Sequence, residues 1–428
     1  LIAWPFVTMG FNHYFDQGYL PDRAILALLV PLIWWRPVFL LAFLPVVYIL
    51  MGQIVQPDVG GTVLAHKLQV IHALGVVAAA VLVHACTGQR STVPVVFLLT
   101  CFVAAQYWQP ALAKLQLDWL SNNELHLVPL AGYTSGWLAF LTPEQIVDFA
   151  QTLKPLDPVL GWFTIVVEAG CVFLLWNRSL TLALLAAVIA FHVGVLALYG
   201  LFFWTWIGLD VALLIVLWRK DRWPDLHKPI PFAASVVLIL AAPLWAGAPL
   251  LGWYETPLFY TYRFDVVAED GHVETLHPDF FSPYEAVFGF ASFGYTSADH
   301  GVPVATHGVT RDTNLLRSLQ AARTPAQILD LEGAPNRYDP DRSDRLYGLV
   351  RDYIANRNRS GDRLAWLRRL RPPPQIVSHA PGLRKLGEAQ LHEVTVVELT
   401  WFYDGETLSR IRELELTQIE IPTRVDAG

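Results

Sequence analysis

Residues 91–112 read S-T-V-P-V-V-F-L-L-T-C-F-V-A-A-Q-Y-W-Q-P-A-L, with no charged side chain among them. A helix rises about 1.5 Å per residue and the hydrocarbon layer is about 30 Å thick, so roughly 20 mostly apolar residues suffice to cross it. The stretch meets that test by length rather than by periodicity, because its apolar side chains lie all round a helix. The windows 24–52, 68–86, 160–176, 180–200, 201–218 and 231–249 are similar in character. A soluble domain can bury one such helix, but not the roughly seven or eight segments that these windows supply. The window 24–52 contains Arg36-Pro37 and reads either as one kinked span or as two short helices.

Charge divides the chain in the same place. Of 67 Asp, Glu, Lys and Arg residues, 23 fall in 1–250 and the other 44 in 251–428. The expected fold is therefore a polytopic all-α membrane bundle over 1–252, followed by a small extramembrane α+β domain over 253–428. With an apolar fraction of 54%, general disorder is excluded. A net charge of −7 with no basic stripe argues against nucleic acid as a partner. Membrane lipid is the expected surrounding partner. Trp108, Trp162, Trp176, Trp204, Trp206 and Trp253 stand near segment ends, where an interfacial belt is expected. Cys86, Cys101 and Cys171 have unrelated spacings, and the histidines after residue 271 are dispersed, so no metal site is expected.

The loop 219–230 carries Arg219, Lys220, Arg222 and Lys228 and is assigned to the cytoplasmic side. Alternation of spans then puts the connection 120–159 and the C-terminal domain outside. Within 120–159, T-P-E-Q at 142–145 predicts a cap and a short surface helix over 143–152. The connection reads as a lid or as a rigid linker. In the C-terminal part, F-Y-T-Y-R-F-D-V-V-A (259–268), 394–402 and 411–419 alternate as strands of a two-hairpin sheet, while 311–330 and 339–367 read as helices.

Ionisable groups at membrane depth are costly, which makes them functional candidates. Lys114 either snorkels from a helix end or is a desolvated amine able to act as a base. Glu168, in W-F-T-I-V-V-E-A-G-C, lies too far from either end to snorkel and needs a partner or a proton. His192 either makes an interhelical hydrogen bond or faces a site. His66 and His72 are six apart, on different faces of a helix, and form no paired metal site alone. Asp210 reads as an interhelical hydrogen-bond partner. D-W-L-S-N-N at 118–123 reads as a surface turn with a tryptophan anchor.

Residues 106–121, Q-Y-W-Q-P-A-L-A-K-L-Q-L-D-W-L-S, resemble the signature of the vitamin K-dependent gamma-carboxylase family and its bacterial relatives with a horizontally transferred transmembrane (HTTM) domain. An apolar helix with Glu168 in it and Arg178 at its end, then F-H at 191–192 before L-Y-G-L-F-F-W at 198–204, follow in the family's order. The resemblance covers about residues 10–250. It implies a bacterial inner-membrane protein that uses a reduced, vitamin K-like quinone and oxygen on a peptide substrate. Lys114 would be the base, His66 and His192 would stand beside it, and His72, Glu168 and Trp108 would contact or support the cofactor. The chain departs from the family in having Ala113 before Lys114 and a C-terminal portion without a recognisable counterpart. Two readings follow: a quinol-dependent membrane lyase, with a cavity beside Lys114, or a non-catalytic subunit of a membrane complex, with apolar side chains filling that space. In either, the C-terminal domain is where a protein partner or peptide would dock.

Overall fold

The computed structural model describes residues 3–8, 20–54, 65–88, 92–219, 223, 225–245, 255–282, 284–290, 293–297, 313–329, 338–360, 370–384 and 390–422. The helical part comprises α1 (Ala3–Thr8), α2 (Leu20–Trp35), α3 (Leu40–Ile54), α4 (Ala65–Thr87), α5 (Val93–Gln116), α6 (Trp119–Asn122), α7 (Val128–Thr134), α8 (Pro143–Leu153), α9 (Asp157–Gly170), α10 (Arg178–Tyr199), α11 (Trp204–Trp218) and α12 (Pro229–Leu240). After it come β1 (Leu258–Ala268), β2 (Val273–Thr275), α13 (Glu285–Phe290), α14 (Thr313–Ala321), α15 (Pro325–Leu329), α16 (Pro340–Ser360), β3 (Leu391–Tyr403) and β4 (Leu408–Glu420). The chain is an integral membrane protein with a distinct extramembrane region. Among the described residues, three helical stretches are long and apolar enough to cross a bilayer: Val93–Gln116, Pro143–Phe173 and Arg178–Tyr199.

Several expected boundaries move for identifiable reasons. The window 24–52 is two helices, because Arg36 is extended (φ −141°, ψ 113°) ahead of Pro37, as the proline ring requires. The expected surface helix at 143–152 has its capping box, Thr142 and Gln145 bonding each other's backbone, but it does not stop there. A 3-10 turn at Lys154–Leu156 carries it into α9, so it belongs to one 31-residue stretch. The segment 231–249 ends early, at Leu240, with a 3-10 turn around Pro243; residues 246–249 lie outside the described ones. The helix expected from 201 starts only at Trp204, because Phe202 N–H donates to the Gln375 carbonyl at 2.7 Å and Val377 N–H to that of Gly200 at 2.9 Å. Gly200 ends α10 at φ +83° against the Trp137 ring, a conformation and a space that suit glycine alone.

Along α9 the exposed apolar residues Val159, Trp162, Phe163 and Val166 form one stripe, and Gly161, Thr164, Ile165 and Glu168 form the opposite, buried face. Water would not permit that outward stripe; lipid does. Trp162 and Trp176 are exposed as an interfacial belt requires, whereas Trp206 is buried against Tyr107 in the bundle. Trp253 lies outside the described residues.

The extramembrane sheet has order β2-β1-β3-β4, antiparallel throughout. Phe264 faces Val396 and Val266 faces Val394 in its register, and all four are buried. The helix expected over 311–330 is α14 and α15, separated at residues 322–324; that over 339–367 is α16, with 361–367 outside the described residues. One buried cluster joins Leu127, Leu130, Ile146 and Tyr199 to Phe259, Ile376 and Tyr403. The connection 120–159 and the sheet therefore lie at the same end of the bundle. At the other end Arg178 donates to the Trp218 carbonyl at 2.6 Å, tying together the 176–178 and 218–219 turns.

Candidate functional site

On α5, Tyr107, Ala111 and Lys114 follow at helical spacing and share one face. The same face of α9 that buries Thr164 presents Glu168 to it. Lys114 Nζ donates to both Glu168 carboxylate oxygens at 2.7 Å, and the two residues are 7% and 3% exposed. The amine does not snorkel. Its charge is met by the carboxylate and by the face of Trp119, 5.6 Å away. Trp119 is positioned by the turn before it: Asp118 sits at φ +54°, Ser121 Oγ donates to its carboxylate at 2.9 Å, and the short α6 then tucks the indole inward at 2% exposure. The surface turn with an anchoring tryptophan is thus in place, and its anchor lies under the lysine.

Beside this pair is a cavity of about 280 Å³. Lys114, Glu168, Tyr107 and His192 line it together with Pro110, Leu160, Phe163, Phe191, Val195, Phe203 and Trp206. Asn123, Glu124 and Glu255 line it as well and make a polar side. The space around Lys114 is open, not filled by apolar side chains as expected for a purely scaffolding subunit.

His192, on α10, has its Nε2 3.0 Å from the Tyr107 hydroxyl, and that hydroxyl donates to Asp210 Oδ2, on α11, at 2.6 Å. The interhelical hydrogen bonds expected of His192 and Asp210 are therefore both made, through Tyr107. Near the polar side, His126 N–H donates to Asp157 Oδ1 at 2.8 Å, pinning the 125–127 turn to the start of α9. Burial holds the neighbouring Glu124 carboxyl above its ordinary range, with His126, Arg323 and Lys154 pulling the other way. From the extramembrane domain, Gln320 in α14 donates to the Asn122 carbonyl at 2.7 Å and the Glu255 carbonyl at 3.2 Å, so α14 packs beside this side of the cavity.

Of the expected site residues, Lys114, Glu168 and His192 come together. Trp108 does not join them: one step along α5 from Tyr107, its ring turns away, half-buried, toward Ala105 and Ala242. His72 is exposed on α4 and is not among the cavity's lining residues. His66 begins the second residue of α4, and its side chain lies outside the described ones. Tyr107 was not singled out from the sequence, although its position two helical turns before Lys114 puts it on the lysine's face.

No protein-family model, curated protein or solved structure matches the chain.

Proposed function

We propose that this is a membrane enzyme of the gamma-carboxylase-like type, binding a reduced quinone in the cavity beside Lys114 and using that amine as a base. One observation carries the reading: a buried lysine, paired with a buried glutamate, lines a mostly apolar cavity. At about 280 Å³ the space is near the low end of the roughly 300–1,000 Å³ typical of small-molecule sites, which suits a flat ring with its lipid tail outside. Its aromatic walls suit a ring of that kind, and its few polar groups suit the hydroxyls.

The residues support proton removal in a specific way. The pair can exist as ammonium and carboxylate or as amine and carboxylic acid, and passing the proton between them changes no net charge. In the second form Lys114 accepts a proton from a hydroxyl in the cavity, and the ammonium so formed is held against the oxygen it has ionised. Trp119 and the mostly apolar walls give the pair a setting of low polarity, which disfavours proton leakage to water. When bound, the reduced quinone would supply the oxygen-driven generation of a much stronger base than any side chain.

The resemblance supports a peptide glutamate as substrate, with the extramembrane domain as its approach. The resemblance supports a bacterial inner-membrane location, and the basic loop at 219–228 supports placing that domain outside the cytoplasm. The test is extraction and identification of quinones bound to the purified protein and to Lys114→Ala. A naphthoquinone retained by the wild type and lost from the variant is expected. Equal contents in both would overturn the role of Lys114.

A further inference from the structure

One wall of the cavity is formed by two helices that part from each other. Toward the 171–178 turn, α9 and α10 are packed: Val167 shares a buried cluster with Leu184, Leu185 and Val188, and a Cβ on Gly170 would stand 3.2 Å from Leu184 Cδ2. Toward the extramembrane domain each leans on something else. On α9, a Cβ at Gly161 would stand 3.2 Å from Asn123 Nδ2, and Ile165 packs with Trp119. On α10, Leu198 and Tyr199 press on α7, where a Cβ at Gly132 would lie 2.9 Å from the Leu198 carbonyl oxygen. The cavity lies in the wedge between them, lined from α9 by Leu160, Phe163 and Thr164 and from α10 by Ala190, Gly194 and Val195. The wedge reaches the lipid-facing surface. Phe163 belongs to the outward stripe of α9 with Trp162 and Val166, and it is 43% exposed. Ala186, Ala190, Val193 and Ala197 are the exposed residues of one face of α10. Phe163 and Ala190 therefore border the cavity and the bilayer at once. Next to Ala190 on this edge is Gly194, where an added Cβ meets nothing within 4 Å.

We infer that the wedge between α9 and α10 is a doorway from the bilayer, and that it holds the hydrocarbon tail of a lipid-borne ligand whose polar head reaches Lys114. The inference rests on the cavity being the quinol site, and it adds the route of entry and the part of the ligand that lies in it. The lining is graded to suit an amphiphile: Lys114 and Glu168 are buried within, whereas Phe163, Ala190 and Gly194 at the lipid edge are apolar. A linear chain in the doorway passes from lipid to apolar side chains without meeting water, so its entry carries no cost of hydrating apolar surface. The other side of the cavity, at Asn123, Glu124 and Glu255, carries carboxyl and amide groups that a hydrocarbon chain would leave without partners.

Two measurements on the protein in lipid nanodiscs test this. The first needs no ligand. A nitroxide is placed on Thr164→Cys, with the exposed Cys86 replaced in a Cys86→Ser background. Its collisions are counted with oxygen, which concentrates among acyl chains, and with a water-soluble nickel chelate. Oxygen access close to that of a label on the outward Val166→Cys, and lowered by Ala190→Trp, is expected. A Thr164→Cys label as shielded from oxygen as one on the buried Val188→Cys, or unaffected by Ala190→Trp, would overturn the doorway. The second measurement compares binding of a reduced naphthoquinone bearing an isoprenoid chain with binding of the tail-less parent. Ala190→Trp is expected to weaken the tailed ligand at least about tenfold more than the tail-less one. Equal effects on the two would overturn the placement of the tail. Binding of neither by the wild type would count against the proposed function, and the collision measurement would then decide the doorway by itself.

Discussion

A lysine and a glutamate in a membrane interior stabilise each other only as a pair. Removing one partner of such a pair leaves an uncompensated charge and costs about 3–5 kcal/mol, whereas replacing both by apolar residues is often close to neutral. Glu168→Ala is accordingly expected to lower the thermal unfolding midpoint in detergent far more than the double variant Lys114→Met/Glu168→Leu. Equal losses would mean that the pair is not what holds these helices in register. Half of this was legible in the sequence. Glu168 is too deep to reach either surface, so its need for a partner could be read; that the partner was Lys114, 54 residues away, could not, because only the packing of α9 on α5 brings them together. Glu124 titrates differently. Burial raises its pKa in the folded protein, so the folded state holds the proton to higher pH than the unfolded chain does. Its contribution is complete below the ordinary carboxylate range and is lost as pH rises through the raised value. Glu124→Gln is expected to flatten that decline in a series of unfolding temperatures measured from acid to neutral pH.

Among the elements, the helix that begins at Thr142 shows what local signals decide. T-P-E-Q marks its start because the threonine and glutamine satisfy backbone donors that a helix N-terminus leaves open. Thr142→Ala is expected to cost about 0.5–2 kcal/mol, read as a drop in unfolding free energy, and Thr142→Ser much less. Where the helix ends was not legible. Lys154-Pro155 resembles a terminus, yet a single 3-10 turn lets the chain run on into α9, whose outward Val159, Trp162 and Val166 form an apolar stripe suited to lipid. Likewise Leu201–Phe203 is apolar enough to extend α11, but the 375–377 segment claims its backbone hydrogen bonds. Apolar composition identifies a helix; its boundaries belong to whatever competes for the last carbonyls and amides.

Across the whole molecule, the extramembrane domain supports the site from behind. Leu316 of α14 is fully buried in a cluster with Trp119 and Ile165, and Trp119 is the ring under Lys114. Leu316→Ala is expected to cost about 2–5 kcal/mol and to weaken ligand binding in the cavity, although the residue lies outside the bundle. The two-part organisation was legible from charge density alone, and the dependence of one part on the other was not, because it arises from contacts between residues about 200 positions apart. The central claim is that the cavity beside Lys114 holds a reduced quinone. Gly194 gives direct access to it: the residue lines the cavity, and a Cβ added there meets nothing within 4 Å, so the larger side chain of Gly194→Phe is expected to take up part of that space. The measurement is a binding titration of a short-chain reduced naphthoquinone with protein in nanodiscs, comparing wild type, Gly194→Phe and Lys114→Ala. Saturable binding by the wild type, weakened at least about tenfold (1.4 kcal/mol) in both variants, is expected. Binding of equal strength in all three, or none in the wild type, would contradict the claim.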